Sequence, residues 1–214
     1  MVTAGQFAAF AALTFLMIVV PGPSVLFTIS RALTVGRRDA LLTVAGNAIG
    51  VYLQVLAVAF GLGAVVTSSA AVFTAIKLAG ALYLVYLGVQ AIRHRRKLTE
   101  AFTADVEASP GRTLTVMRDG LVVGFANPKS IVFLAAILPQ FVDASAGSVP
   151  AQMLVLGICL PLIALVSDTL WALAAGTARA WFARSPRRLR LVGGTSGLVM
   201  IGLGTSLAFT GRKD

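Results

Sequence analysis

Apolar residues in this chain come in long runs and lack the alternation of a strand or helix with one face in water. Six windows of about 20 or more mostly apolar residues stand out, at about 7–30, 41–66, 72–92, 120–142, 152–178 and 191–210. Wound as helix, each is long enough to cross a bilayer core. The pattern predicts an all-α integral membrane protein with six transmembrane helices. The longest stretch between windows, 93–119, is too short for a soluble domain, so a single membrane domain over 1–214 is expected. That stretch carries Arg93, Arg95, Arg96, Lys97, Glu100, Asp105 and Glu107 and a Ser109-Pro110-Gly111 turn, and reads as a polar cytoplasmic loop. The first window is read as a retained span. It has no basic leader, it exceeds a signal-peptide core in length, and Arg31, Arg37 and Arg38 follow it.

Composition agrees with a bilayer as solvent. Hydrophobic residues make up 57% and charged residues 12%, with a mean hydropathy of +0.89. A soluble domain carries about 25% charged residues. The net charge of +10 would by itself suggest a nucleic-acid partner. Its placement argues otherwise, because fourteen of the eighteen basic residues fall on alternate connections, 31–39, 93–119 and 179–190. By the positive-inside bias those three loops face the cytoplasm and both termini face out. Arg212 and Lys213 in the tail run mildly against this. The positive charge then serves topology and anionic lipid headgroups. No basic stretch is interleaved with the aromatics a nucleic-acid stacking platform needs. One cysteine, Cys159, and one histidine, His94, rule out a disulfide framework, a cysteine-cluster or multi-histidine metal site and histidine relay chemistry. No metal, no cofactor and no enzymatic activity are expected.

With termini outside, span 1 runs inward and span 4 outward, so a three-plus-three repeat would be inverted. Its halves would be about 1–92 and about 120–214, joined by the loop 93–119. Both lead spans carry a proline break followed by a small or polar residue and an apolar run: Pro21-Gly22-Pro23-Ser24 in span 1, Asn127-Pro128-Lys129-Ser130 in span 4. Paired breaks of this kind are the best sequence pointer to a transporter's substrate site. Proline is also common in membrane helices, as Pro161 in span 5 shows. Each proline lacks an N–H and should free the carbonyl four residues before it: Met17 for Pro21, Val19 for Pro23, Gly124 for Pro128. The half-helices that follow should offer N–H groups near Ser24–Leu26 and Lys129–Ile131 to an anion. Carbonyls and N–H groups facing each other suit a zwitterion.

Three ionisable residues fall inside spans, where charge is costly and reads as functional: Lys77, Lys129 and Asp168. The lysines are long enough to snorkel to an interface. Asp168 is not; it is placed to pair structurally, to accept a proton, to hold an ammonium, or to do the last two in alternation. Asn47, Tyr52 and Gln54 in span 2 read as glue between helices or as ligands. Gly46-xxx-Gly50 and Gly193-xxx-Gly197 suit close helix packing, within one chain or between copies, which leaves a homo-oligomer open.

These residues resemble the LysE/RhtB family of amino-acid exporters. The resemblance rests on Pro21-Gly22-Pro23, on Lys77-Leu78-Ala79-Gly80-Ala81-Leu82-Tyr83-Leu84 running to Gly88, on Asn127-Pro128-Lys129, and on the glycine-rich last span from Arg190 to Gly204. It covers nearly the whole chain. It implies proton-driven efflux of amino acids or close derivatives across a bacterial inner membrane. It also carries the family's signature onto Pro21, Gly22, Pro23, Lys77, Gly80, Tyr83, Gly88, Asn127, Pro128 and Lys129. The expected substrate site is Pro21, Gly22, Pro23, Ser24, Asn127, Pro128 and Lys129, with Lys77, Asn47, Gln54 and Tyr83 as further candidates. Asp168 as the proton-coupling residue follows from its burial, not from the motif. With one acid well inside a span, neutral amino acids of the homoserine, threonine or leucine kind fit better than basic ones. Two other readings stand beside export of amino acids: a non-transporting membrane scaffold or assembly protein, and metal-cation efflux, which one carboxylate, one cysteine and two lysines suit poorly.

Overall fold

The computed structural model describes residues 2–19, 22–68, 70–93, 112–183 and 185–209, and among them it is all-helical. The helices are α1 (Ala4–Val19), α2 (Pro23–Thr34), α3 (Arg37–Ser68), α4 (Ala70–Arg93), α5 (Thr113–Phe125), α6 (Pro128–Ile137), α7 (Val149–Gly157), α8 (Cys159–Ala183) and α9 (Pro186–Phe209). Two short 3-10 turns, Leu138–Phe141 and Ala144–Ala146, follow α6. Gly36, at φ 114°, turns α2 into α3 through a backbone conformation that an L side chain resists.

Among the described residues, two helical stretches are long and apolar enough to cross a membrane on their own, Arg37–Gly61 and Val149–Ala175. Counting each bent pair as one span makes four: α1 with α2, at 52°, and α5 with α6, at 45°. The apolar stretches of α4 and α9 are shorter, Thr74–Gln90 and Gly197–Phe209. Both bends fall at the proline motifs expected to break spans 1 and 4, though Val20 and Pro21 lie outside the described residues. The fourth element starts at Thr113, well before the expected 120, because the charges at Arg118 and Asp119 broke the apolar window but not the helix. The rest of the expected loop, including the Ser109-Pro110-Gly111 turn, lies outside the described residues. The fifth is divided at Ile158, three residues before Pro161, whose missing N–H leaves the α7–α8 junction without one helical bond.

Glycine sets which helices touch. Gly46 and Gly50 of α3 lie against the backbone of α5 at Met117 and Leu121, and Gly120 and Gly124 of α5 lie against the carbonyls of Thr43 and Asn47. A Cβ at any of the four would collide with backbone. The two glycine pairs, each four residues apart, thus form one reciprocal seam, the close approach expected of such spacing in lipid. A second seam joins α4 to α9, where Gly88 and Gly197 face each other and Gly204 meets Ala81. Phe10, Met17 and Ile18 of α1, Val51 and Val55 of α3, Phe133 and Leu134 of α6 and Leu160 and Ala164 of α8 fill the core between the bent pairs.

Candidate functional site

The two breaks meet in the middle of this core, and one residue ties them together. Asn127 is the N-cap of α6, a position that favours a short side chain able to accept from the first turn. Its Oδ1 accepts from the Lys129 backbone N–H at 3.1 Å. Its Nδ2 donates to Ser24 Oγ in the first turn of α2 at 2.6 Å. Its carbonyl accepts from Ser130 Oγ and from the Ile131 N–H, both at 3.1 Å. Gly22 caps α2, and the Lys129 side chain runs past its bare Cα: a Cβ there would stand 3.5 Å from Cδ and 3.7 Å from Nζ.

Gln54 of α3 closes the exposed backbone of the second break. Its Nε2 donates to the carbonyls of Phe125 at 2.7 Å and Asn127 at 3.3 Å. The carbonyl of Gly124, expected to be freed by Pro128, instead accepts from the N–H groups of Ala126 and Asn127. That expectation is corrected: the chain itself satisfies the Gly124 carbonyl. The N–H groups of Lys129 and Ile131 are likewise already bonded at Asn127, and that of Leu26 to Gly22. The calls on Pro21, and so on the Met17 carbonyl, lie outside the described residues.

Asp168 is 2% exposed, on the inward stripe of α8 with Leu160 and Ala164 at four-residue spacing. Its Oδ2 accepts from Asn47 Nδ2 at 3.0 Å, a bond between residues 121 apart in sequence. Asp168, Asn47, Lys129, Asn127, Ser130, Ser24 and Gly22 all line one cavity of about 50 Å³, with Met17, Ile18, Val25, Val51, Leu160 and Ala164 as its apolar wall. The ammonium of Lys129, 7% exposed, and the carboxylate of Asp168 attract each other across it. Asn47 Oδ1 and Gln54 Oε1 are buried with no hydrogen-bond partner among the described residues. A buried amide oxygen in that state costs roughly 1–3 kcal/mol, so each is an acceptor for water or a bound solute.

Of the expected substrate residues, Gly22, Ser24, Asn127 and Lys129 come together at the cavity, joined by Asn47 and Asp168. Pro23 and Pro128 serve as the first residues of α2 and α6, where a missing N–H costs nothing. Lys77 is buried and does not line the cavity. Tyr83 does not reach it either; it is 38% exposed with its ring 5.8 Å from that of Tyr86. Gln54 supports the break from behind. Sequence reasoning missed Ser130, whose signal was its place one turn after Asn127. It named Met17 for its carbonyl alone, and it missed Ile18, recognisable only as part of the apolar turn before the first break.

Comparison with known proteins bears on what such a cavity carries. Residues 15–211 match the family model described as LysE type translocator. A membrane protein of Vibrio cholerae, uncharacterised, is 40% identical over 88% of this chain and 89% of its own length. The homoserine/homoserine lactone efflux protein of Salmonella typhimurium is 31% identical over 88% of each chain. The leucine efflux protein of an Enterobacter species is 25% identical over 91% of this chain and 90% of its own. No solved structure gives a significant match.

Proposed function

The chain belongs to the LysE type translocator family, and from that premise we propose that this multi-pass membrane protein is a secondary exporter of amino acids or close derivatives, driven by proton antiport across a bacterial inner membrane. The observation that carries the reading is the cavity between the two helix breaks, which holds one buried cation, Lys129, and one buried anion, Asp168, inside apolar walls. A zwitterion answers both charges. Its carboxylate takes Lys129 and its ammonium takes Asp168, with Asn47 Oδ1 as a further acceptor. A divalent cation would find one carboxylate and a facing ammonium, a poor ligand set. A scaffold role leaves the buried charge and broken helices without a use.

A single acid at the cavity among the described residues supports neutral substrates, in keeping with the Salmonella relative's name as a homoserine/homoserine lactone efflux protein and the Enterobacter relative's as a leucine efflux protein. Proton coupling rests on Asp168. A carboxylate in hydrocarbon costs on the order of 3 kcal/mol or more, and protonation or a bound ammonium relieves that cost in turn. In the outward-facing state Asp168 takes up a proton; in the inward-facing state it yields the proton and receives the ammonium. Six crossings fit this reading if each bent pair spans once and α4 and α9 also cross. The inverted repeat draws support from the packing: α3 lies along the broken pair of the second half, α8 along that of the first. The test is a resistance screen over the twenty amino acids and toxic analogues in a host lacking its own exporters. The chain should protect against a few neutral amino acids, and Lys129→Gln should not. No protection against any of them would refute export of amino acids.

A further inference from the structure

Along both bent pairs, the same succession of features runs outward from the polar cavity. On α1, Met17 and Ile18 line that cavity, Phe10 lies two turns away, and Gly5, Gln6, Ala9 and Leu13 line a second, larger cavity of about 420 Å³. From the second break onward, Asn127, Lys129 and Ser130 line the polar cavity, Phe133 of α6 lies one turn on, and Ile137, with Gln140 of the following 3-10 turn, lines the larger one. Phe10 and Phe133 are both fully buried, their rings tilted at 42° with centroids 5.9 Å apart, and Phe141 lies edge-on to Phe10 at 5.4 Å. In the other direction, α2 leaves the cavity at Ser24 and Val25 and carries Arg31 two turns on. Helix α5 carries Asp119 two turns before Asn127. Arg31 and Asp119 form an ion pair at 2.9 Å, and the guanidinium also lies over the Phe27 ring at 5.5 Å.

We infer that these two contacts are gates in series on one pathway: Phe10 against Phe133 closes the polar cavity from a vestibule of about 420 Å³, and Arg31 with Asp119 closes it on the opposite side. Each gate joins one half of the first bent pair to one half of the second, and each half is hinged at its break, so either gate opens by tilting half-helices while the other holds. The chemistry of the two differs in a way that gives direction. The ring contact is dry, and nothing in it recognises a passing solute. The ion pair is part-exposed, with side chains 20% and 35% accessible, and a zwitterion carries a charge for each partner. An arriving amino acid therefore replaces the pair it must break, carboxylate to Arg31 and ammonium to Asp119, while an uncharged or singly charged solute replaces half of it or none. Arg31 Nε, buried with no partner among the described residues, is a donor in waiting for that carboxylate. The vestibule, lined by Gln6, Gln140 and Ser206 but by no charged residue among the described residues, holds the released molecule weakly.

This inference rests on the export reading, and its test is separable from it. Native Cys159 is replaced by alanine and Ser24→Cys supplies a reporter in the polar cavity. Membrane vesicles of each orientation are then exposed to an impermeant maleimide. Phe10→Ala with Phe133→Ala should speed labelling from one face about tenfold or more, as expected for removing two buried rings. Arg31→Gln should speed it about fivefold from the other face, the size of a part-exposed ion pair. Labelling sped from the same face by both, or from neither, overturns the proposal. Should the alanine pair fail to insert, Phe133→Leu must give the same sidedness at smaller amplitude. For the ion pair, Arg31→Asp must speed labelling and its combination with Asp119→Arg must slow it again; failure of that rescue removes Arg31 and Asp119 as a gate. The labelling needs no substrate. Transport is read on the chain with native Ser24: its absence there would sink the export reading alone, and transport there with unchanged labelling of the reporter chain would sink the gates alone.

Discussion

A carboxylate buried at 2% exposure keeps its place only if something holds it, and among the described residues Asp168 accepts a hydrogen bond from Asn47. Asn47→Ala should therefore disturb Asp168 more than its own volume suggests. Under the antiport reading, the pH dependence of transport should shift while the protein still inserts, which initial rates across a pH series would reveal. Lys129→Gln removes the anion partner and leaves the Asn127 cap, which uses the Lys129 backbone. It should raise KM for the exported amino acid and lower the maximal rate less. Asn127→Ala removes both the cap and the link to Ser24, at a cost of about 1 kcal/mol for the cap alone. Melting in detergent should drop accordingly, and export should fall further than the melting does. Asp168 and Lys129 stood out in the sequence because charge in an apolar run is costly, although snorkelling for Lys129 and a structural pair for Asp168 stayed open there. The pairing of Asp168 with Asn47 was not, since hydropathy carries no information on which residue 121 positions away faces it. Arg31 was counted toward topology, and that use concealed its partner Asp119.

Among the helices, the α3–α5 seam makes the sharpest demand on sequence. A Cβ at Gly46 or Gly120 would enter the facing backbone, which cannot move aside as a side-chain tip can. Gly46→Ala or Gly120→Ala should destabilise by about 1–3 kcal/mol, seen as a lower thermal midpoint in detergent. Gly61 on the same α3 has open space around it, and Gly61→Ala should be neutral or stabilising by up to about 1 kcal/mol. Equal effects at the three positions would argue against the seam. The glycine spacing made the Gly46–Gly50 side of this seam readable, whereas the Gly120–Gly124 side was hidden in a window chosen for apolarity. The breaks at Gly22–Pro23 and Asn127–Pro128 were readable because proline acts locally through its missing N–H. What the backbone then does was not readable: the turn itself satisfies the Gly124 carbonyl, and Gln54, from another helix, takes those of Phe125 and Asn127.

For the whole molecule, the alternation of basic loops predicts both termini outside, and the loop after α6 outside with them. A cysteine introduced at Ser145 should react with an impermeant reagent from outside, and one at Ser109 should not; the reverse pattern would invert the orientation. Ser145 also donates to Asp143 through its backbone and hydroxyl, which holds the Asp143 carboxyl below its usual range, so this loop keeps its hydrogen bonds until well into acid. Labelling at Ser145 is best read at neutral pH for that reason. The central claim is that a proton gradient moves amino acids through the cavity between the breaks, with Asp168 carrying the proton. The most direct measurement is uptake of a labelled neutral amino acid, homoserine or leucine, into inverted vesicles made acid inside. The wild-type chain should accumulate it against its gradient. Asp168→Asn should insert, lose that accumulation, and keep exchange of labelled for unlabelled substrate. Accumulation by Asp168→Asn at the wild-type level, with an unchanged pH profile, would contradict the account.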